Sequence, residues 1–284
     1  MPTRHVVHRG DRPQPDPARR HTRPVSDAPA FPVRTATELD AMREAGRVVA
    51  RTLQAVRAAA VPGAKLRDLD EIAQTSIREA GALPSFLGYA PSWAPRPFNG
   101  VLCLSVNEVV VHGRPTGRRL DDGDLLSIDA GAILDGWNGD SAITVHVGHR
   151  EEDDVRLVRA TEEALAAGIA AARPGATLLD VASAVDEVAR RHGYSHLPDH
   201  GGHGIGRSMH EAPFVPNRPM PGAAEVRLEP GSTLAIEPML LAGGEGYRTA
   251  RDGWSVVTLD KRRAAHAEHT VAVTEDGPVV LTAP

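Results

Sequence analysis

Pro62-Gly63-Ala64-Lys65-Leu66-Arg67-Asp68 is matched by Pro174-Gly175-Ala176-Thr177-Leu178-Leu179-Asp180, so the frame Pro-Gly-Ala-x-Leu-x-Asp occurs twice, 112 residues apart (62 to 174). Working outward, Leu120-x-x-Gly123-x-x-Leu126-x-Ile128-Asp129 returns as Leu228-x-x-Gly231-x-x-Leu234-x-Ile236-Glu237, offset by 108. An acidic residue closes both copies. His112-Gly113-Arg114-Pro115 has its echo in His210-Glu211-Ala212-Pro213, offset by 98. Asp140 is read as holding in its half the place that Glu268 holds in the other. Any one short echo means little, because short matches arise by chance. Several in the same order point to a duplication, with two halves packed about an approximate two-fold axis and a site at their junction.

Each copy is framed by the same elements. Thr37-Glu38-Leu39-Asp40 has the form of a capping box before a helix that carries Leu39, Met42, Val49, Leu53 and Val56 on one side. That helix stops at Val61-Pro62-Gly63. A second follows with Leu66, Leu69, Ile72 and Ile77 at helical spacing and Gly81 as its terminator. Strand formers interrupted by Gly and Asn then fill Val101 to Val111 and Asp124 to Val147. The order helix, helix, strands predicts an α+β protein. Residues 1–33 are rich in Pro, Arg and His and read as a flexible arm, with a Pro-x-Pro-x-Pro run at Pro13 to Pro17. Residues 34–284 are expected to form the folded domain, with halves of about 34–152 and 153–284.

The bulk numbers exclude several classes. The 284 residues suffice for a sizeable core, and 41% hydrophobic with 24% charged residues describes a soluble globular chain. A formal net charge of −5 gives no general attraction to nucleic acid or anionic membrane. No apolar run reaches the length of a secretory core or a membrane span. The one cysteine, Cys103, permits neither an internal disulfide nor a thiolate-rich metal site, and a cytoplasmic location is expected.

Asp129 and Glu237 end the apolar runs Leu125-Leu126-Ser127-Ile128 and Thr233-Leu234-Ala235-Ile236. A lone acidic residue at a strand end is ordinarily a solvated turn residue. Two of them, duplicated at the ends of buried strands, need an opposite charge, and a metal ion supplies it. Asp140 lies across Asp135-Gly136-Trp137-Asn138-Gly139, a hairpin composition expected to set it beside Asp129. His203, within Gly201-Gly202-His203-Gly204-Ile205-Gly206, is flanked by residues that allow close backbone approach. The Gly-rich run lacks the Lys-Ser/Thr of a phosphate loop. Asp129, Asp140, His203, Glu237 and Glu268 make an oxygen-rich set suited to two divalent ions of the Mn, Fe, Co or Zn type, and paired ions imply hydrolysis. No Gly-x-Ser-x-Gly elbow is present, and Cys103 between Leu102 and Leu104 reads as a packing or pocket residue.

The series Val111-His112-Gly113, Ile128-Asp129, Gly139-Asp140, Gly202-His203-Gly204-Ile205-Gly206, Ile236-Glu237-Pro238 and Glu268-His269-Thr270 resembles that of the type I methionine aminopeptidases of metallopeptidase family M24. The resemblance runs from about Arg34 to the C-terminus. It implies the pita-bread fold, with helices outside and a curved antiparallel sheet lining the site. It implies that Asp129 holds one metal, that Asp140 and Glu268 bridge the pair, and that His203 and Glu237 complete the other site. His112 and His210 are implied to contact substrate, and Glu237 is the candidate proton shuttle. Phe86, Tyr89, Cys103, Met209 and Trp254 are implied to line a methionine pocket.

The implied reaction removes the initiator methionine when the second residue is small, with a bridging hydroxide attacking the first peptide carbonyl. The implied partners are nascent polypeptide N-termini, with transient ribosome association, no nucleic-acid substrate, no membrane and a monomeric state. The segment Ala90 to Leu102, with Trp93 and Phe98, is longer than the family pattern and should border the pocket. The arm lacks the Cys/His spacing of a zinc module. Two other readings share the motifs: an Xaa-Pro peptidase with the same ligand layout, and a non-catalytic peptide- or ribosome-binding protein of this fold.

Overall fold

The computed structural model describes residues 31–283. The Pro-rich run at Pro13 to Pro17, and most of the stretch read as an arm, lie outside the described residues. Two helices open the described residues, α1 (Ala36–Ala59) and α2 (Leu66–Glu79). They lead into β1 (Leu83–Pro84), β2 (Leu102–Val106), β3 (Val109–Val111), β4 (Leu125–Leu134) and β5 (Trp137–His146). The pattern then restarts with α3 (Glu152–Ala171) and α4 (Leu178–His192). After them come β6 (Ser195–His196), β7 (Gly201–Gly204), β8 (Glu211–Pro216), β9 (Thr233–Ile236) and β10 (Met239–Leu241). The chain closes with β11 (Tyr247–Thr249), β12 (Val256–Thr258), β13 (Ala264–His266), β14 (Glu268–Thr274) and β15 (Gly277–Val280). No described helix is long and apolar enough to cross a membrane.

The capping box of α1 sits two residues before its expected place. Thr35 accepts from the Glu38 amide at 3.3 Å and the Glu38 carboxylate accepts from the Thr35 amide at 2.9 Å. Thr37 stands at the same three-residue spacing from Asp40, but α1 already starts at Ala36, so Thr37 lies inside the helix and Thr35 takes the cap position. Met42, Val49, Leu53 and Val56 are buried as the periodicity predicts. Packing also begins earlier than the sequence suggests, since Phe31 is only 5% exposed within the core of the second half.

The duplication reappears in the backbone hydrogen bonds. Gly63 N donates to Leu120 O at 2.7 Å, and Gly175 N donates to Leu228 O at 2.8 Å. Gly123 N reaches Val147 O, and Gly231 N reaches Val273 O, both at 2.8 Å. These glycines have φ between 81° and 94°, in the left-handed region that disfavours any side chain. Within the large sheet the path β2-β4-β5-β14-β9-β7 reads the same from either end, with β2 equivalent to β7, β4 to β9 and β5 to β14. The halves join where Ala142 and Ser141 of β5 face Glu268 and His269 of β14.

The outer face of each half buries its own core under its own helices. Val49, Leu53, Leu69 and Ile77 of α1 and α2 pack on Leu102, Leu104 and Ile128. Leu165, Leu178 and Val181 of α3 and α4 pack on Leu234 and Ile236. Helices outside and a curved antiparallel sheet inside make the α+β pita-bread fold.

Register decides which side chains share the inner face. Asp135 (φ 51°) and Gly136 (φ 77°) form the two-residue β4–β5 loop, and Leu134 pairs with Trp137 across it. The hairpin is as expected, but its register differs in one respect. Asp140 stands opposite Gly131, and Asp129 opposite Ala142, so the two aspartates are diagonal neighbours. In the second half Ile236 faces His269 and Met239 faces His266, which sets Glu237 across from Glu268. The equivalent of Glu268 is therefore Ala142, and that of Asp140 is His266. The anticipated Asp140–Glu268 correspondence is off by two residues, a slip that preserves the face because side chains alternate with period two.

Candidate metal centre

Period-two alternation places Asp129, Asp140, His203, Glu237, Glu268 and Cys103 on one sheet face. Cys103 pairs with Asp129, and His203 pairs with Ala235, two residues from Glu237. Glycine makes room for the imidazole's strand, because a Cβ on Gly202 would lie 2.0 Å from Ala235 O. His203 Nδ1 donates to Gly204 O at 2.8 Å, which fixes the tautomer and leaves Nε2 as the acceptor. That Nε2 lies 3.7 Å from Asp140 Oδ2 and 3.7 Å from Glu237 Oε1. Asp140, His203 and Glu268 each offer a ligand atom within 4.8 Å of the others.

The electrostatics call for a cation. Asp129 Oδ1, Asp140 Oδ1 and Glu268 Oε1 are buried without a hydrogen-bond partner among the described residues. Burial pushes the Asp129 and Glu268 carboxyls well above their usual range, and the neighbouring carboxylates Asp140 and Glu237 add to the shift in both. Burial also raises Asp140, against the opposing pull of His203. Two carboxylates about 4 Å apart repel by about 4 kcal/mol at an effective dielectric constant of ~20. Divalent ions remove that repulsion and take up the orphaned oxygens, so this donor set fits them. Burial works against protonation of His203, but Asp140 and Glu237 outweigh it and raise its pKa.

Beside the carboxylates lies a cavity of about 280 Å³ lined on one side by Phe86, Tyr89, Trp93, Phe98, Cys103 and Trp254 and on the other by the acidic cluster, His112, His203 and His210. Burial pushes the Cys103 thiol well up, as do Asp129 and Asp140, so it stays a neutral thiol and not a nucleophile. Met209 does not reach the cavity lining. It packs behind Phe86, close over Gly131, where a Cβ would come within 2.8 Å of Met209 Cε. Trp93 and Phe98 come from the long Ala90 to Leu102 segment, which borders the pocket. Both rings contact Trp254 edge-on at 5.0 Å, and Trp93 stacks on His112 at 6.1 Å.

His112 and His210 both line the cavity. His112 has φ 58°, a left-handed conformation unusual for a non-glycine residue and common where a site dictates orientation. His210 stacks on Tyr89 at 5.1 Å and lies 4.3 Å from the His203 ring. Burial lowers both pKa values to about 3, with His200 and His266 adding to the effect at His112 and His203 and His112 at His210. Both imidazoles are neutral at pH 7. One residue was not anticipated. His266 is buried against Glu237 and Glu268, and its signal was the two-residue step to Glu268 along one strand.

The sequence pattern of metallopeptidase family M24 matches residues 40–275. The chain belongs to this family of hydrolases, and within it to the methionine aminopeptidases. It is 52% identical over 258 residues to a methionine aminopeptidase 1 of Mycobacterium tuberculosis (strain CDC 1551 / Oshkosh), covering 88% of this chain and 94% of that protein. It is 44% identical to a methionine aminopeptidase 1 of Bacillus subtilis (strain 168), covering 88% and 98%. The crystal structure of a methionine aminopeptidase from Thermotoga maritima matches with a TM-score of 0.85 at 38% identity, over 89% of this chain and 100% of that one. A prolidase from Pyrococcus furiosus, at 22% identity and a TM-score of 0.70 over 89% of this chain and 65% of that one, shares the fold alone.

Proposed function

We propose that this chain removes the N-terminal methionine from nascent proteins and peptides whose second residue is small, acting as a cytoplasmic monomer with two divalent metal ions. The observation that carries the reading is the juxtaposition of five donors on one sheet face, of which Asp140, His203 and Glu268 are buried, with an apolar cavity of about 280 Å³. Asp129 would hold one ion, Asp140 and Glu268 would be shared by the pair, and His203 with Glu237 would complete the other site. When bound, such a pair supplies hydroxide at neutral pH and polarises the scissile carbonyl.

The remaining roles belong to the protein. Phe86, Tyr89, Cys103 and Trp254, with Trp93 and Phe98, give the methionine side chain an apolar wall, where sulfur–aromatic contacts contribute about 0.3–1.5 kcal/mol each. Asp129 and its neighbours present negative charge to the free α-amine, which favours a chain end over an internal peptide. His112 and His210, neutral at neutral pH, orient the scissile amide by hydrogen bonding. Glu237, only partly screened from the cavity, moves the proton from the attacking water to the leaving amine. Emerging nascent chains, met transiently at the ribosome, are the partners.

The test is hydrolysis of Met-Ala-Ser beside Met-Pro-Ala and Ala-Pro-Ala by chelated protein with single metals added back. Release of methionine from Met-Ala-Ser, restored by metal, is expected. Cleavage confined to Xaa-Pro bonds would make the chain an Xaa-Pro peptidase instead, and binding without turnover would make it a peptide-binding relative. Activity that survives both chelation and Asp140→Ala would remove the two-ion mechanism.

A further inference from the structure

The carboxylate cluster faces a second buried imidazole. His266 is 2% exposed, and its Nε2 has no hydrogen-bond partner among the described residues. Nε2 lies 3.5 Å from Glu237 Oε2 and 3.8 Å from Glu268 Oε2. Both distances exceed a hydrogen bond, which ends near 3.2 Å. They suit ligand atoms sharing one ion, since donors about 2.0–2.2 Å from a centre and set about 110–120° apart stand roughly 3.3–3.8 Å from one another. His203 Nε2 keeps the same kind of spacing, 3.7 Å, from Glu237 Oε1. Glu237 thus stands between two imidazoles, with one oxygen turned to each.

The backbone holds His266 in this pose. Thr144 accepts from the His266 amide at 3.0 Å and donates to its carbonyl at 2.7 Å, while Met239 pairs with it on the other side. Its strand position is the one that Asp140 occupies in the first half, so both halves place a donor there.

We propose that His266 is a sixth protein ligand, binding through Nε2 the ion that Glu237 and Glu268 share. Resting on the two-ion reading above, this adds a second imidazole to one of the two sites and makes it richer in nitrogen. Such a site favours Zn, Co and Fe over Mn, because imidazole suits the former and carboxylate the latter.

The test uses the full chain loaded with Co(II) and compares it with His266→Gln, which keeps a polar side chain of similar reach. Proton NMR of Co(II) proteins shows the ring N–H of each ligating histidine as a separate, strongly shifted, exchangeable signal. Two such signals are expected in the wild type, His203 and His266, and one in His266→Gln. Calorimetric titration should show Co and Zn affinity falling at least about 10-fold in the variant, a loss that even outer-shell partners of a ligand reach, with a smaller loss for Mn. A single shifted signal in the wild type overturns the proposal by itself, whether or not the variant folds, as does equal affinity in a variant whose metal-free melting is unchanged. Wild-type protein that takes up no Co(II) at all would instead overturn the two-ion reading beneath it.

Discussion

The β4–β5 hairpin of the first half and the β9–β14 ladder of the second share one backbone register but not one set of side chains. Where the first half carries Asp129, Ala142, Asp140 and Ser105, the second carries Glu237, Glu268, His266 and His203 at the equivalent positions. The first ladder is an unbroken hairpin of two ten-residue strands. The second is interrupted at Glu237-Pro238, where proline supplies no amide to the ladder. Duplication preserved the scaffold, while the site became asymmetric, with both imidazoles in the second half. A pseudo-symmetric frame therefore does not imply equivalent metal sites.

The largest expected effect breaks that asymmetry directly. His203→Ala should lower kcat/KM on Met-Ala-Ser by about 1,000-fold, roughly 4 kcal/mol of transition-state stabilisation. Ser105→Ala, at the matching position, should leave metal content unchanged. It loses only the bond that Gly113 N donates to Ser105 Oγ at 3.1 Å, about 1 kcal/mol of stability. Metal analysis and steady-state kinetics on the two variants check this. Equal losses would mean that the halves contribute alike.

Metal removal should come next in size. Asp129, Asp140 and Glu268 have folded-state pKa values raised above those of the unfolded chain. The metal-free fold binds more protons than the unfolded chain, so these groups lend stability below the ordinary carboxylate range and lose it as pH rises through their raised values. Calorimetry should show chelation lowering Tm by on the order of 10 °C at pH 8 and by less at pH 5. A loss independent of pH would separate the carboxylates from the metal effect.

The histidine pair gives a smaller effect of opposite sign. With folded values of about 3, His112 and His210 contribute stability above the unfolded pKa near 6.5, which is lost as pH falls toward 3. Each accounts for at most about 1.4 kcal/mol per pH unit. NMR titration should find both rings neutral at pH 5, and His112→Asn with His210→Asn should flatten the acid limb of stability.

The smallest effect concerns equivalent helices. Thr177 and Asp180 form a capping box on α4, whereas Lys65 at the start of α2 makes no side-chain cap although Asp68 stands ready. Thr177→Ala should cost about 1 kcal/mol, and Lys65→Thr should gain roughly 0.5–1 kcal/mol by completing the missing box. Thermal melting of the pair reads both.

Sequence alone carried the duplication, the helix–helix–strand order and the hairpin at Asp135-Gly136. It also carried the five candidate donors, because each lies in a local pattern: a repeated frame, a two-residue turn, a carboxylate ending an apolar strand. These depend on chemistry within a few residues or on identity between copies. Only the tertiary structure decided which strand positions face each other across the site. A repeat can be aligned two residues out and still keep every side chain on its face, so sequence matched Asp140 with Glu268 where the ladders match it with His266. The same limit hid the place of Met209, which packs behind the pocket wall, and of Phe31, which is buried in the second core. Burial and register arise from contacts between distant strands, and no local pattern contains them.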